Sequence, residues 1–260
     1  MARLRAAGCV FAEDEAGLLV EAASGAELEV LVARRVAGEP LEHVLGWAGF
    51  RGLRIAVGPG VFVPRRRTEL MARLAEQLVA ATPAPVAVVE LCCGAAPIAV
   101  AVLAHGRSPR DGGAVDVYAA DIDPVAVGYA RRNLGERGTA LTGDLFEPLP
   151  DRLRGRIDVL AVNTPYVPSG AIVSMPPEAR DHEPRAALDG GDDGLDVQRR
   201  LAGVAGEWLA PGGRLLVETS EDQASVAAAL FADAGLVPRV ESDDELGATV
   251  VLARRVGPDR

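Results

Sequence analysis

The 260-residue sequence predicts an α/β fold: a doubly wound, mostly parallel, seven-stranded sheet, with a small helical N-terminal module and a connecting β-hairpin ahead of it. Three observations predict it. From Val86 onward, short apolar runs rich in β-branched residues alternate with helical segments, the pattern of a parallel sheet covered on both faces. The first run ends in a turn of small residues, and the next two end in the acids Asp121 and Asp144. Before Val86 the pattern is different, first helical in period and then alternating around glycines.

Each element follows in chain order. Residues 13–37 are rich in Ala, Leu and Glu, with Leu28, Leu31, Val32 and Val36 at helical intervals, and Gly38-Glu39-Pro40 ends them. This makes residues 1–48 a helical module. Residues 49–63 alternate apolar and polar around Gly52 and Gly58-Pro59-Gly60, which predicts a hairpin within a linker over 49–68. Thr68 is placed to cap a helix over 69–81, closed by Thr82-Pro83-Ala84-Pro85. The remaining domain, residues 69–260, carries strands at 86–91, 115–120, 139–143, 157–163, 214–219, 236–241 and 248–253. Helices are expected from Pro97, from beyond Asp121 through Asn133, and over 197–209 and 223–234.

Composition excludes several classes of protein. Apolar residues make up 49% of the chain, enough for a packed core. The longest apolar runs are too short to cross a bilayer, and no apolar segment follows Arg3 and Arg5 as a signal peptide requires. Cys9, Cys92 and Cys93 offer neither a disulfide framework nor zinc spacing, and His43, His105 and His182 share no ligand spacing. A reduced, cytoplasmic setting without a bound metal or a membrane is expected. The formal charge of −10 argues against direct nucleic-acid binding.

In a doubly wound sheet, ligands bind beyond the carboxyl ends of the strands where strand order reverses. The first strand here ends Glu90-Leu91-Cys92-Cys93-Gly94-Ala95-Ala96, whose small residues let a ligand approach the backbone, and Pro97 suits a first helical turn. Asp121, followed by Ile122, can accept both ribose hydroxyls of an adenosine. Asp144 can accept from the adenine amino group, with Leu145 flanking the ring. The dinucleotide fingerprint G-x-G-x-x-G is missing, so a pyrophosphate cradle is not expected. S-adenosyl-L-methionine carries no phosphate and fits this set, with S-adenosyl-L-homocysteine as product. One acid at a strand end is as consistent with a helix cap; acids at successive strand ends point to a site.

The fourth strand leads into Asn163-Thr164-Pro165-Tyr166. Here the chain resembles the Rossmann-like class I methyltransferases that modify planar amino groups, whose motif at this place is Asn-Pro-Pro-Tyr or Asp-Pro-Pro-Tyr. Within them it is most similar to the HemK/PrmC family, which methylates the glutamine of the Gly-Gly-Gln motif in peptide-chain release factors. The likeness includes Gly38-Glu39-Pro40-Leu41, Val63-Pro64-Arg65 with Thr68-Glu69, Glu183-Pro184, Leu188-Asp189-Gly190-Gly191 and Asp193-Gly194-Leu195. It implies that the Asn163 side-chain oxygen, itself beside the cofactor, and the Thr164 carbonyl accept the two N–H groups of an amide. Such acceptors aim a poor nucleophile at the methyl donor and favour developing positive charge. Pro165 disfavours helical backbone at Thr164, and Tyr166 packs against the planar group. Phe62, Arg65 and Glu183 fall where the family binds its acceptor.

The sequence departs from the family pattern at Thr164, where a proline is usual, and at Cys92 and Ala96, where glycines are usual. Arg66-Arg67 stands in place of Pro-Glu. The resemblance therefore implies methyl transfer to N5 of a protein glutamine, of the release-factor type. N-methylation of a small metabolite or tailored peptide, or a non-catalytic cofactor-binding relative, are the alternatives that these departures raise.

Overall fold

The computed structural model describes residues 1–106 and 113–257. The N-terminal module is four short helices: α1 (Ala2–Ala6), α2 (Ala12–Ala22), α3 (Gly25–Val36) and α4 (Leu41–Leu45). The helical stretch expected over 13–37 is thus two helices, broken where Ala23 and Ser24 turn to extended backbone at φ −154° and −140°. Leu4, Ala12, Leu19 and Val44 form their own buried cluster between them. Inside it, the Arg35 guanidinium donates to both carboxylate oxygens of Glu15, at 2.7 and 3.1 Å, and so locks α3 to α2.

The hairpin pairs β1 (Trp47–Phe50) with β2 (Leu53–Ala56). Its tip is Arg51-Gly52, both at positive φ (52° and 74°), as a two-residue turn matching strand twist requires. The hairpin starts two residues before the expected 49 and ends at Ala56. Gly58-Pro59-Gly60 makes a separate turn, closed by the Val61 amide on the Gly58 carbonyl at 3.1 Å.

A short 3-10 turn, Arg66–Thr68, runs into α5 (Glu69–Ala81). Thr68 does not cap this helix as expected: its backbone is already helical (φ −65°, ψ −14°) and its side chain makes no capping hydrogen bond. The hydroxyl is buried instead on the inner side of the turn.

The sheet then builds through β3 (Val86–Leu91), α6 (Pro97–His105), β4 (Val115–Asp121), α7 (Pro124–Leu134), β5 (Thr139–Thr142) and β6 (Ile157–Val162). It is completed by α8 (Pro177–His182), α9 (Asp196–Trp208), β7 (Leu209–Thr219), α10 (Ala224–Asp233), β8 (Leu236–Asp243) and β9 (Ala248–Arg255). Strand order is β5-β4-β3-β6-β7-β9-β8, and β9 runs antiparallel to both neighbours. This is the seven-stranded, Rossmann-like class I arrangement. The buried strands alternate faces with the period of two that a pleat imposes. Val117, Ala119, Val159, Ala161, Val250 and Leu252 pack with α5, α6, α7 and the hairpin. Tyr118, Ala120, Leu160, Val162, Val251 and Ala253 pack with α9 and α10. Strand order reverses between β3 and β6, which opens a crevice at their carboxyl ends. Among the described residues, no helix is long and apolar enough to cross a membrane.

Candidate active site

A cavity of about 370 Å³ occupies that crevice. Its wall carries Glu90, Cys92, Gly94, Asp121, Ile122, Asp144 and Leu145 from the expected cofactor set, and all of Asn163, Thr164, Pro165 and Tyr166. Phe62 and Arg65 line the same cavity, whereas Ala96 and Glu183 are buried behind it.

The turn after β3 is wound through left-handed backbone at alternate residues: Cys92 at φ 50°, Gly94 at 53° and Ala96 at 59°. Left-handed backbone suits glycine; a Cβ there costs roughly 1–2 kcal/mol, so Cys92 and Ala96 hold the family's turn under strain. A Cβ added at Gly94 would meet no atom within 4 Å, so this residue faces open cavity. Glu90 lies beneath the turn, where its carboxylate accepts from the Ala99 amide at 2.6 Å and the Ile98 amide at 3.4 Å. Its oxygens thus serve the first turn of α6. Burial pushes its pKa up to about 8, against the opposing pull of those amides.

Asp121 accepts from the Gly94 amide at 2.8 Å and the Asp123 amide at 2.9 Å, one on each oxygen. The Ile122 amide also favours this carboxylate, which keeps acceptor capacity toward the cavity. Burial raises the Asp121 pKa. Asp144 is held through Oδ2 by Arg200 of α9 at 2.5 Å, leaving Oδ1 for an amino group. Ile122, 63% exposed, and Leu145 supply apolar surface beside these acids. Two acids at successive strand ends, two aliphatic side chains and a glycine open to the cavity are a set that fits S-adenosyl-L-methionine.

Behind Tyr166 lies Glu218, near the carboxyl end of β7 and 1% exposed. The Tyr166 hydroxyl donates to Glu218 Oε1 at 2.9 Å. The buried Thr68 hydroxyl helps hold down the pKa of the same carboxylate; Oε2 has no hydrogen-bond partner among the described residues. The Thr68 hydroxyl oxygen also accepts from Asn163 Nδ2 at 3.5 Å. Burial lifts the pKa of both Tyr166 and Glu218.

The loop after β6 is fixed from behind. Thr164 is buried, and its hydroxyl oxygen accepts from Gln198 Nε2 at 3.3 Å, so a side-chain bond stands where the family has proline stiffness. Gly190 and Gly194 press on the backbone of the tetrapeptide. An added Cβ would lie 2.7 Å from the Pro165 carbonyl oxygen and 2.2 Å from that of Tyr166, respectively. That close approach gives a physical reason for the glycine block 190–194. Nearby, Arg65 Nη2 contacts both Glu183 oxygens at 2.6 Å, Glu183 accepts from the Val63 amide at 3.2 Å, and the guanidinium lies 4.8 Å from the Phe62 ring centroid. The three expected acceptor-side residues therefore form one cluster.

Thr68, Glu218, Gln198 and Arg200 were missed as site residues by sequence reasoning. Glu218 carried a usable signal, since it follows an apolar strand run as Asp121 does. Gln198 and Arg200 lie on a helix whose spacing says nothing about the opposite loop.

A cavity lined by acids at successive strand ends and by an Asn-x-Pro-Tyr loop, at the switch point of this sheet, marks an S-adenosylmethionine-dependent class I methyltransferase. No protein-family model matches the chain. It is 38% identical over 233 residues to the release factor glutamine methyltransferase of Geobacter sulfurreducens, covering 87% of this chain and 77% of that protein. The chain belongs to the release factor glutamine methyltransferase family, as a divergent member. It is also 37% identical over 210 residues to the 4-amino-L-phenylalanine/4-methylamino-L-phenylalanine methyltransferase of Streptomyces pristinaespiralis, covering 78% of this chain and 69% of that one. Among solved structures, a methyltransferase from Pyrococcus furiosus shares the fold at 15% identity, with a TM-score of 0.55 over 86% of this chain and 98% of the other.

Proposed function

We propose that this protein methylates a planar side-chain amide nitrogen, N5 of a protein glutamine in a release-factor Gly-Gly-Gln context. The observation that carries the reading is the orientation of Asn163: its NH2 group faces the Thr68 hydroxyl, which leaves the side-chain oxygen to accept from a substrate. When bound, S-adenosyl-L-methionine supplies an electrophilic methyl group; Asp121, Asp144, Ile122 and Leu145 would hold its adenosine. Asn163 Oδ1 takes one N–H of the acceptor and the Thr164 carbonyl the other. This aims the face of the planar nitrogen at the donor. The two oxygens also stabilise positive charge as it develops on nitrogen. No general base is needed before transfer, and the extra proton leaves to water afterwards. Tyr166, held by Glu218, packs on the planar group, and Phe62 and Arg65 border the acceptor.

The test is incubation of a Gly-Gly-Gln release factor with labelled cofactor, followed by peptide mass analysis. A gain of one methyl on the glutamine is expected, and its absence removes this acceptor. A second reading, N-methylation of a small amino-acid amine such as 4-amino-L-phenylalanine, is favoured by the Streptomyces pristinaespiralis relative and by Arg67 on the cavity wall. A screen of free amines and amides with the same label separates the two.

A further inference from the structure

We infer that Arg67 makes the acceptor end of the cavity selective for a substrate that carries a carboxylate as well as the nitrogen being methylated. This rests on Asn163-Thr164-Pro165-Tyr166 being the acceptor loop. Arg67 lines the cavity, its guanidinium lies 5.8 Å from the Tyr166 ring centroid, and its neighbour Thr68 touches Asn163.

The charged groups at this end differ in how fully they are engaged. Arg65 is tied to both oxygens of buried Glu183. Asp189, also on the wall, accepts from the Ser169 hydroxyl, the Gly191 amide and Arg185. Arg67 approaches Glu218 through Nε at 3.5 Å, and its side chain is 46% exposed. Among the described residues, neither of its terminal nitrogens makes a hydrogen bond. A half-exposed guanidinium on the cavity wall without a hydrogen bond of its own has donors to offer a ligand there. Two parallel N–H groups in a rigid plane match the two oxygens of a carboxylate. In the family pattern this position is acidic, so the charge at the mouth is reversed here. An anionic acceptor is drawn in where a Glu would repel it.

Binding to wild-type protein saturated with S-adenosyl-L-homocysteine, measured by calorimetry, tests this with matched probes. The pairs are L-glutamine and L-glutaminamide, 4-amino-L-phenylalanine and its carboxamide, and the peptides Gly-Gly-Gln-Asp and Gly-Gly-Gln-Asn. The carboxylate member of at least one pair is expected to bind about tenfold tighter or more, the scale of a charge-assisted hydrogen bond. R67Q should bring that pair to near equality, and R67K, which keeps charge without the fork, should fall between. A preference among the amino acids alone assigns the carboxylate to a small acceptor, and one among the peptides alone assigns it to a polypeptide. Equal affinity in every pair, no binding by any probe, or a preference that survives in R67Q overturns the inference. Methyl transfer that persists in N163A sinks the reading of the loop instead, which keeps the two failures apart.

Discussion

The Asn163 side chain donates to the Thr68 hydroxyl at 3.5 Å, joining residues 95 positions apart. Thr68 is buried beside Glu218, and its contact with the amide NH2 leaves the Asn163 side-chain oxygen free for the acceptor that is proposed above. N163A should lower turnover by about 10²–10³, the usual cost of removing one preorganised group from a reacting centre. T68V should lower turnover by about tenfold, because the amide then loses the partner that fixes its orientation; T68S should restore it. Labelled methyl transfer under saturating cofactor measures all three. Equal turnover in T68V and wild type would show that Thr68 has no such role.

The turn after β3 makes an opposite pair of predictions. Gly94 and Ala96 share left-handed backbone, but only Ala96 carries a Cβ. A96G should stabilise the protein by about 0.5–1 kcal/mol, as relief of strain exceeds the added freedom of the unfolded chain. G94A should destabilise it by about 1 kcal/mol and weaken cofactor binding, because its new methyl group enters the open cavity. Denaturant unfolding gives the first numbers and calorimetry the second. Destabilisation by A96G would mean that packing of the buried Ala96 methyl outweighs the strain.

How much of this was legible beforehand depends on the range of each interaction. The strands were legible because apolar runs report burial on both faces, and α5 was found with its full extent, Glu69–Ala81. Asp121, Asp144 and Asn163 were legible because a strand end puts its next residue in the crevice whatever the remote chain does. Thr68 was misread as a cap because Ser and Thr before a helix usually bond its free amides. Here the preceding 3-10 turn makes the Thr68 backbone helical and frees its hydroxyl for Asn163. Glu90 was read as a cofactor ligand, yet its carboxylate faces the α6 amides; sequence shows an acid at the strand end but not which way it turns. Partners such as Arg200 for Asp144 and Gln198 for Thr164 depend on how α9 is seated, which no local pattern encodes.

The Gln198–Thr164 bond is a substitute for a missing proline, and it can be tested as a pair. Gln198 is fully buried and its Oε1 has no hydrogen-bond partner among the described residues. T164V would leave the Gln198 amide without its hydroxyl partner and should cost about 1–3 kcal/mol. The double variant T164P/Q198L removes both polar groups and restores ring rigidity at once. It should recover most of that loss and keep methyl transfer. Denaturant unfolding of the two variants decides, and a double variant no more stable than T164V would show that the proline does not replace the bond.

Glu90 gives the protein a pH dependence that one substitution can isolate. Burial raises its pKa from an ordinary 4.5 to about 8, with the Ala99 and Ile98 amides opposing the rise and Asp121 adding to it. The folded chain thus holds a proton that the unfolded chain releases. Its contribution to stability is fully present below the unfolded value of 4.5 and is lost as pH rises toward the folded value of about 8. Asp121, Glu183 and Glu218 are also raised by burial, so the wild-type slope alone does not identify its source. E90Q keeps the shape of the protonated acid but has no proton to lose. Its amide NH2 also faces the α6 N–H groups, a fixed cost at every pH, so slopes rather than midpoints must be compared. The thermal midpoint of wild type should fall more steeply than that of E90Q across this window, and parallel curves would mean that Glu90 stays ionised against the start of α6.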